Sequence, residues 1–434
     1  MHKIFVMKDY RPRIADELLK INLESAGLVL IEGTKWCGKT TTAEQQAGSK
    51  IYLNDPARRS SYLQLAETAP DVLLYGDTPR LIDEWQDAAQ LWDAARYEVD
   101  HRDESTGQFI FTGSTVIRSE EKEKIKHSGT GRAAWMKMRP MSLYESGESN
   151  GAVSLSELFE GRCQKAFLAT PLNVNRIAFL ICRGGWPATL KMTERAALRQ
   201  SYNYIDAIAN EDIMSVDNVR RDPDFTKRLL RSYARAQASQ STISTIHADL
   251  SANGEGTLTE ETISSYLSAL RKLFVIEDSR AWNPNLRSKT AIRTTDTRYF
   301  VDPSIAAAAL GLGPNDLIYD LNTMGLLFET MCIRDLRVYA DALDGQVYHY
   351  RDKSGLECDA VIHLKNGSYG LIEVKLGGEK LINEGIENLN SLARKIDTER
   401  MKQPSFKMVL TGVGDYAYQT DDGVFVVPIS ALKP

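Results

Sequence analysis

The stretch LVLIEGTKWCGKTTTAEQQ, residues 28–46, decides how the fold is read. An apolar run leads into a turn with Gly33 and Gly38, and a lysine and three threonines follow at once. Gly33, Thr34, Lys35, Trp36, Cys37, Gly38, Lys39 and Thr40 fit the spacing G-x-x-x-x-G-K-S/T. Glycines let such a turn curl until its N–H groups converge on phosphate oxygens. In that role Lys39 neutralises the β- and γ-phosphates, and Thr40, with Thr41 behind it, meets Mg2+. The helix that follows points its positive end at the same anion. The alternative is an ordinary glycine turn, but the strand before and the helix after are the context that the phosphate role requires.

Working outward, KIYLN (50–54), PRLIDEWQ (79–86) and GQFIFTGST (107–115) are further apolar strands, with helical sequence between them. Strands alternating with helices predict parallel β-α-β units, whose ligands sit beyond the carboxyl ends of the strands. Three strands end in polar chemistry at that edge: Gly33 onward, Asp83-Glu84, and Thr112 to Ser114. Asp83 is placed to hold Mg2+ through water and Glu84 to polarise the attacking water, the alternative being a solvated strand end. Ser114 is either an orienter of that water or a simple strand cap. Arg132, in GTGRAAW, is either a surface cation or a group reaching a γ-phosphate in its own or a neighbouring subunit. Upstream, YRPRIADELLKINL (10–23) sets Ile14, Leu18, Leu19 and Leu23 at helical spacing.

The 434 residues carry 53 Lys and Arg against 58 Asp and Glu, a net charge of −5, so contact with nucleic acid would need a local patch. The five cysteines form no C-x-x-C pair, which argues against a zinc knuckle or a disulfide framework. There is no long apolar run for a leader or a membrane span, and a cytoplasmic location is expected.

The motif order GTKWCGKT, LIDEWQ, FIFTGST, GTGR, RPMSLYE, RGGWP resembles the AAA-type (AAA+) P-loop ATPases of bacteria and archaea. Within these it resembles the predicted-ATPase group that carries a C-terminal domain of unknown function. The resemblance spans nearly the whole chain and implies binding and hydrolysis of ATP with Mg2+. It also implies a helical lid whose Gly-x-Pro element contacts the nucleotide, which maps to Gly185, Trp186 and Pro187. Trp36 and Cys37 depart from the pattern, since smaller residues are common at those positions.

Between the expected lid and the C-terminus, Ile243, Ile246 and Leu250 share one helix face. Thr259 caps a second helix with Ile263, Leu267 and Leu270 as its stripe. Two helices, a turn and a hairpin predict a winged helix-turn-helix. Arg280, Arg287, Lys289, Arg293 and Arg298 form a local basic patch suited to DNA phosphates. Glu260 and Glu261 oppose that use, and basic and acidic residues balance over 206–298, which favours a protein-docking or regulatory module.

The segment GLECDAVIHLKNGSYGLIEVKLG (355–377) reads as a β-hairpin turning at Asn-Gly. Glu373 and Lys375 are two apart and so share a strand face; Asp359 lies on the adjoining strand, and Glu329 sits on an upstream helix. Two carboxylates, Asp359 and Glu373, with a carbonyl suit Mg2+, and a lysine beside them steadies a hydroxide or developing phosphorane charge. The set Glu329, Asp359, Glu373, Lys375 resembles the restriction-endonuclease-like PD-(D/E)xK nucleases. The alternative is a salt-bridged edge strand, and 13 basic against 16 acidic residues from Glu329 onward do not favour DNA.

The expected class is therefore α/β, in four parts. These are an AAA-like P-loop NTPase core over 1–150, a helical lid over 151–222, a winged helix-turn-helix over 223–310, and a restriction-endonuclease-like unit over 311–434. The expected function is an ATP-hydrolysing switch acting on a nuclease-like module. Its expected partners are ATP, DNA, a protein partner or a second copy, and no membrane. The other class of reading is a regulatory or scaffold ATPase whose module binds without cutting.

Overall fold

The computed structural model describes residues 10–113, 130–162, 166–167, 171–217, 219–252, 259–285 and 292–434. The first strand, β1 (Leu28–Gly33), is buried along nearly its whole length. That burial is why it reads as continuous LVLI rather than alternating, as parallel sheets covered on both faces do. It sits between β4 (Phe109–Gly113) and β5 (Ala133–Met138); β2 (Ser49–Tyr52) and β3 (Arg80–Asp83) complete a wholly parallel sheet of order β2-β3-β4-β1-β5. Helix α1 (Ile14–Ser25) buries Ala15, Leu19 and Leu23 against this unit; Ile14 and Leu18 of the expected stripe are only partly covered. Helix α2 (Lys39–Gln46) leaves the loop after β1. Trp85, Trp92, Phe109 and Phe111 fill one core, and Val29, Ile31, Leu81 and Ile110 another.

Contacts divide the chain into two units. One is Met1–Pro140 with the short segments Asn210–Arg221 and Ser268–Val275; the other is Met141–Ala209, Asp222–Leu267 and Ile276–Pro434. The second unit holds helices α3 (Val174–Arg183), α4 (Pro223–Arg235) and α5 (Ile243–Ala252). Residues Ile276 and Ser279 pair antiparallel with Phe300 and Thr297. Of the basic residues expected near this hairpin, Arg280 and Arg293 are exposed, and Arg287 and Lys289 lie outside the described residues. Arg298 corrects the expectation: it is buried and paired with Asp278 at 2.8 Å, so its guanidinium is spent inside the protein and not offered to phosphate.

The same unit ends in a seven-stranded mixed sheet. After helix α6 (Leu321–Ala342), strands β6 (Gly345–Arg351), β7 (Glu357–Leu364) and β8 (Tyr369–Lys375) run antiparallel. Helix α7 (Glu379–Lys395) crosses over to β9 (Phe406–Thr411), which is parallel to β8. Two more strands, β10 (Tyr416–Gln419) and β11 (Val424–Pro428), extend the sheet to the pair Ala166–Phe167. Among the described residues no helix is long and apolar enough to cross a membrane.

Candidate functional site

In a parallel sheet all carboxyl ends share one edge, so the register gathers Gly33, Asp83 and Thr112 there. Asp83 pairs with Thr112, and Gly33 with Met138. The loop Gly33–Thr40 curls at that edge. Gly33 has φ 150° and Gly38 φ 101°, and a Cβ on Gly33 would lie 2.0 Å from the Met138 carbonyl oxygen, so only glycine fits. Trp36 takes φ 66° and points outward, 42% exposed. Cys37 is fully buried with its thiol 3.5 Å from the Met138 carbonyl, so both bulky departures from the motif are housed away from the loop's interior. A buried thiol of this kind is closed to reagents.

Lys39 is buried and its ammonium donates to the carbonyls of Gly33 and Thr34, each at 2.9 Å. Thr40 Oγ1 donates to Asp83 Oδ1 at 2.8 Å, and Thr112 Oγ1 donates to the same oxygen at 2.5 Å. Thr41 stands next in α2, its carbonyl taken by Gln45. Asp83 is 6% exposed, so two hydroxyl donors solvate a carboxylate that water hardly reaches. Glu84 ends the strand in a left-handed turn, φ 55°, and its carboxylate accepts from the Gln86 amide. Lys35 pairs with Asp212, which belongs to the segment Asn210–Arg221.

The structure gives Arg132 and Gly185 the following places. Arg132 precedes β5, and its carbonyl accepts the N–H groups of Gly27 and Leu28, at the start of β1. Six residues of parallel strand, about 20 Å, separate it from Gly33, so it cannot serve the phosphate edge of its own chain. Its guanidinium pairs instead with Asp100 at 2.8 Å. Gly185 spends both main-chain groups within its own unit, its N–H on Asp302 at 2.9 Å and its carbonyl on Met141 at 2.6 Å. Pro187 opens the short helix Pro187–Lys191 and stays half-buried. Ser114 lies outside the described residues.

A second constellation forms on the C-terminal sheet. Ladder pairing between β7 and β8 ends at Ala360 and Ile372, and the Asp359 side chain then takes the next free N–H, that of Val374, at 2.7 Å. Lys375 Nζ lies 2.6 Å from Glu373 Oε2 and 3.7 Å from Asp359 Oδ2. Glu373 is fully buried, and its Oε1 has no hydrogen-bond partner. Glu329 accepts the Tyr299 hydroxyl at 2.5 Å. Burial and then the nearby Asp359 charge push the Glu329 and Glu373 carboxyls well above the usual carboxylate range. Burial alone would lower Lys375, but Asp359 and Glu373 outweigh it and raise it. Among the described residues no group of three His, Cys, Asp or Glu forms a cation cage. The Lys375 ammonium sits on both carboxylates, Asp359 and Glu373.

Asp212 and Tyr299 were not singled out in the sequence, nor was the bond of Thr112 to Asp83. Thr112 was within reach, because its register partner is Asp83; Asp212 and Tyr299 come from segments far along the chain with no local pattern to mark them.

Residues 25–147 match the family described as an AAA domain. Residues 174–316 and 324–432 each match a family described as a domain of unknown function. Sheet order and match together make residues 25–147 an AAA-type P-loop domain. Among solved structures, a Walker-type ATPase of Pyrococcus abyssi is 16% identical, with a TM-score of 0.42, over 69% of this chain and 99% of its own. RuvB of Thermotoga maritima is 15% identical with a TM-score of 0.24, over 62% of this chain and 93% of its own. The Aeropyrum pernix ORC1 protein, solved in complex with DNA, is 12% identical with a TM-score of 0.25, over 73% of this chain and 96% of its own. No curated protein matches the chain.

Proposed function

We propose that the chain is an ATP-binding and ATP-hydrolysing switch. The observation that carries this is the meeting of Thr40 and Asp83, 2.8 Å apart, at the carboxyl edge of the sheet and the first turn of α2. A hydroxyl and a buried carboxylate in contact fit a hydrated Mg2+ held between loop and strand, and Thr40 with Asp83 would hold it. The bound ion supplies charge neutralisation to the phosphates. The chain's own part is to cradle the phosphates on loop N–H groups, to bring Lys39 from its carbonyl rests to their charge, and to orient water with Glu84. The short segments Asn210–Arg221 and Ser268–Val275 belong to the ATPase unit, although the chain on either side of each belongs to the other unit. They give nucleotide state a covalent route to the second unit, and Arg132 is left to reach a neighbouring copy. The test is calorimetry with MgATP: the natural protein binds, and Lys39→Ala lowers affinity by about 100-fold or more. Binding unchanged in that variant overturns the reading.

A second reading, favoured by the unpartnered Oε1 of Glu373, makes the C-terminal unit a nuclease-like module acting on DNA. Asp359 and Glu373 would receive a divalent ion once Lys375 moves off them, with Glu329 alongside. Cleavage that requires Mg2+ or Mn2+ and disappears in Glu373→Ala, while ATP binding survives, is the expected result. No cutting of any DNA form would leave the module binding nucleic acid or protein without cleavage.

A further inference from the structure

We infer that Arg13, with Tyr10 beside it, is a positioning residue for the phosphate loop; this rests on the ATP-binding reading above. Arg13 is 7% exposed. One arm of its guanidinium donates to the Cys37 carbonyl at 2.8 Å and the other to the Arg139 carbonyl, just past β5, at 2.9 Å. The carbonyl and N–H of a trans peptide point in opposite directions. Holding the Cys37 carbonyl on the side of α1 therefore aims the Gly38 N–H away from α1. Gly38 sits at φ 101°, in a region where a glycine swings freely between alternatives, so this peptide needs an outside hold to keep one orientation. A cationic donor on the carbonyl also polarises the peptide and strengthens its N–H as a donor.

The same short segment grips the helix. The Tyr10 hydroxyl donates to Asp16 Oδ1 at 2.5 Å and lies 3.0 Å from Thr42 Oγ1 on α2. Asp16 Oδ2 in turn accepts the Arg13 N–H at 2.7 Å. Loop and helix are thus fixed by one brace, Tyr10, Arg13 and Asp16, which stands outside the phosphate motif and touches it only from behind. A brace that presets loop N–H groups acts on ground state and transition state alike, so its loss appears in binding and leaves turnover nearly untouched.

Full-length protein carrying Arg13→Gln should bind MgATP about tenfold more weakly, with kcat within about threefold, the size of one lost charged hydrogen bond. Arg13→Lys keeps a single donor and should recover part of that affinity. Tyr10→Phe should weaken binding by about twofold to threefold. A purely structural arginine would lower the unfolding temperature of the apo protein and leave the MgATP affinity, measured well below it, unchanged; that outcome overturns the inference. Where Arg13→Gln fails to fold, wild-type affinity in both Arg13→Lys and Tyr10→Phe overturns it equally. Lys39→Ala run alongside separates the two levels. Binding lost there but intact in the brace variants sinks the brace alone, and binding intact in all of them sinks the ATP reading itself.

Discussion

Two lysines sit at two candidate sites, and their neighbours differ in one respect. Lys39 rests on neutral carbonyls, those of Gly33 and Thr34. Lys375 rests on a carboxylate, Glu373, with Asp359 next to it. An ammonium held by carbonyls leaves at the cost of ordinary hydrogen bonds, about 1 kcal/mol each. An ammonium that compensates a fully buried carboxylate leaves an uncompensated charge behind, which costs about 3–5 kcal/mol. The loop lysine is therefore poised to exchange partners with an incoming phosphate. The sheet lysine is locked until something of like charge replaces it.

The comparison breaks most visibly at Glu84. If the carboxyl edge of the parallel sheet is the reacting edge, Glu84→Gln keeps MgATP binding and lowers turnover by about 100-fold or more, the span of a lost general base. Steady-state hydrolysis together with calorimetry reads both quantities. Turnover that survives the substitution would move the chemistry away from the Asp83-Glu84 strand end and leave the loop as a binding device only.

Much of the loop site was legible in the sequence because its parts are contiguous or fall at strand ends. Gly33 to Thr40 is one run, and Asp83 follows an apolar strand whose direction the β-α-β pattern fixes. Period-two alternation likewise put Glu373 and Lys375 on one face. What stayed hidden was set by register and by long-range return of the chain. Thr112 reaches Asp83 because β3 and β4 are neighbours in the sheet order β2-β3-β4-β1-β5, an order that no local pattern encodes. The place of Arg132 stayed hidden for the same reason. Only the pairing of Leu28 with Ala133 reveals that it enters β5 at the edge opposite the loop. The partner of Gly185 stayed hidden because the sequence cannot show that Asp302, 117 positions away, takes its N–H.

A smaller effect sharpens the contrast between the lysines. Lys375→Met should destabilise the C-terminal unit by about 3–5 kcal/mol, because the charge of Glu373 is then buried without a partner. Adding Glu373→Gln should restore most of the loss, since the uncompensated charge goes with it. Lys39→Met should cost only about 2 kcal/mol, the net worth of its two carbonyl hydrogen bonds, while abolishing MgATP binding. Urea titrations of the three variants decide it. Equal destabilisation by both single methionine substitutions would erase the distinction drawn between carbonyl and carboxylate neighbours.

The smallest effect tests whether the sheet cluster behaves as one electrostatic unit. Burial, then Asp359, raises the Glu329 carboxyl above its ordinary value. Its unfolded value lies near about 4.3. Between the unfolded and folded values the folded chain holds a proton that the unfolded chain has released, so this group makes stability fall as pH rises. Below that window both states are protonated and the contribution vanishes; above it the penalty is complete. Glu329→Gln removes the group yet keeps an oxygen to accept the Tyr299 hydroxyl. The variant should therefore gain on the natural protein as pH rises above the unfolded value. Stability measured by denaturant at several pH values reads the difference directly. A difference that stays flat would mean that neither burial nor Asp359 raises the Glu329 carboxyl.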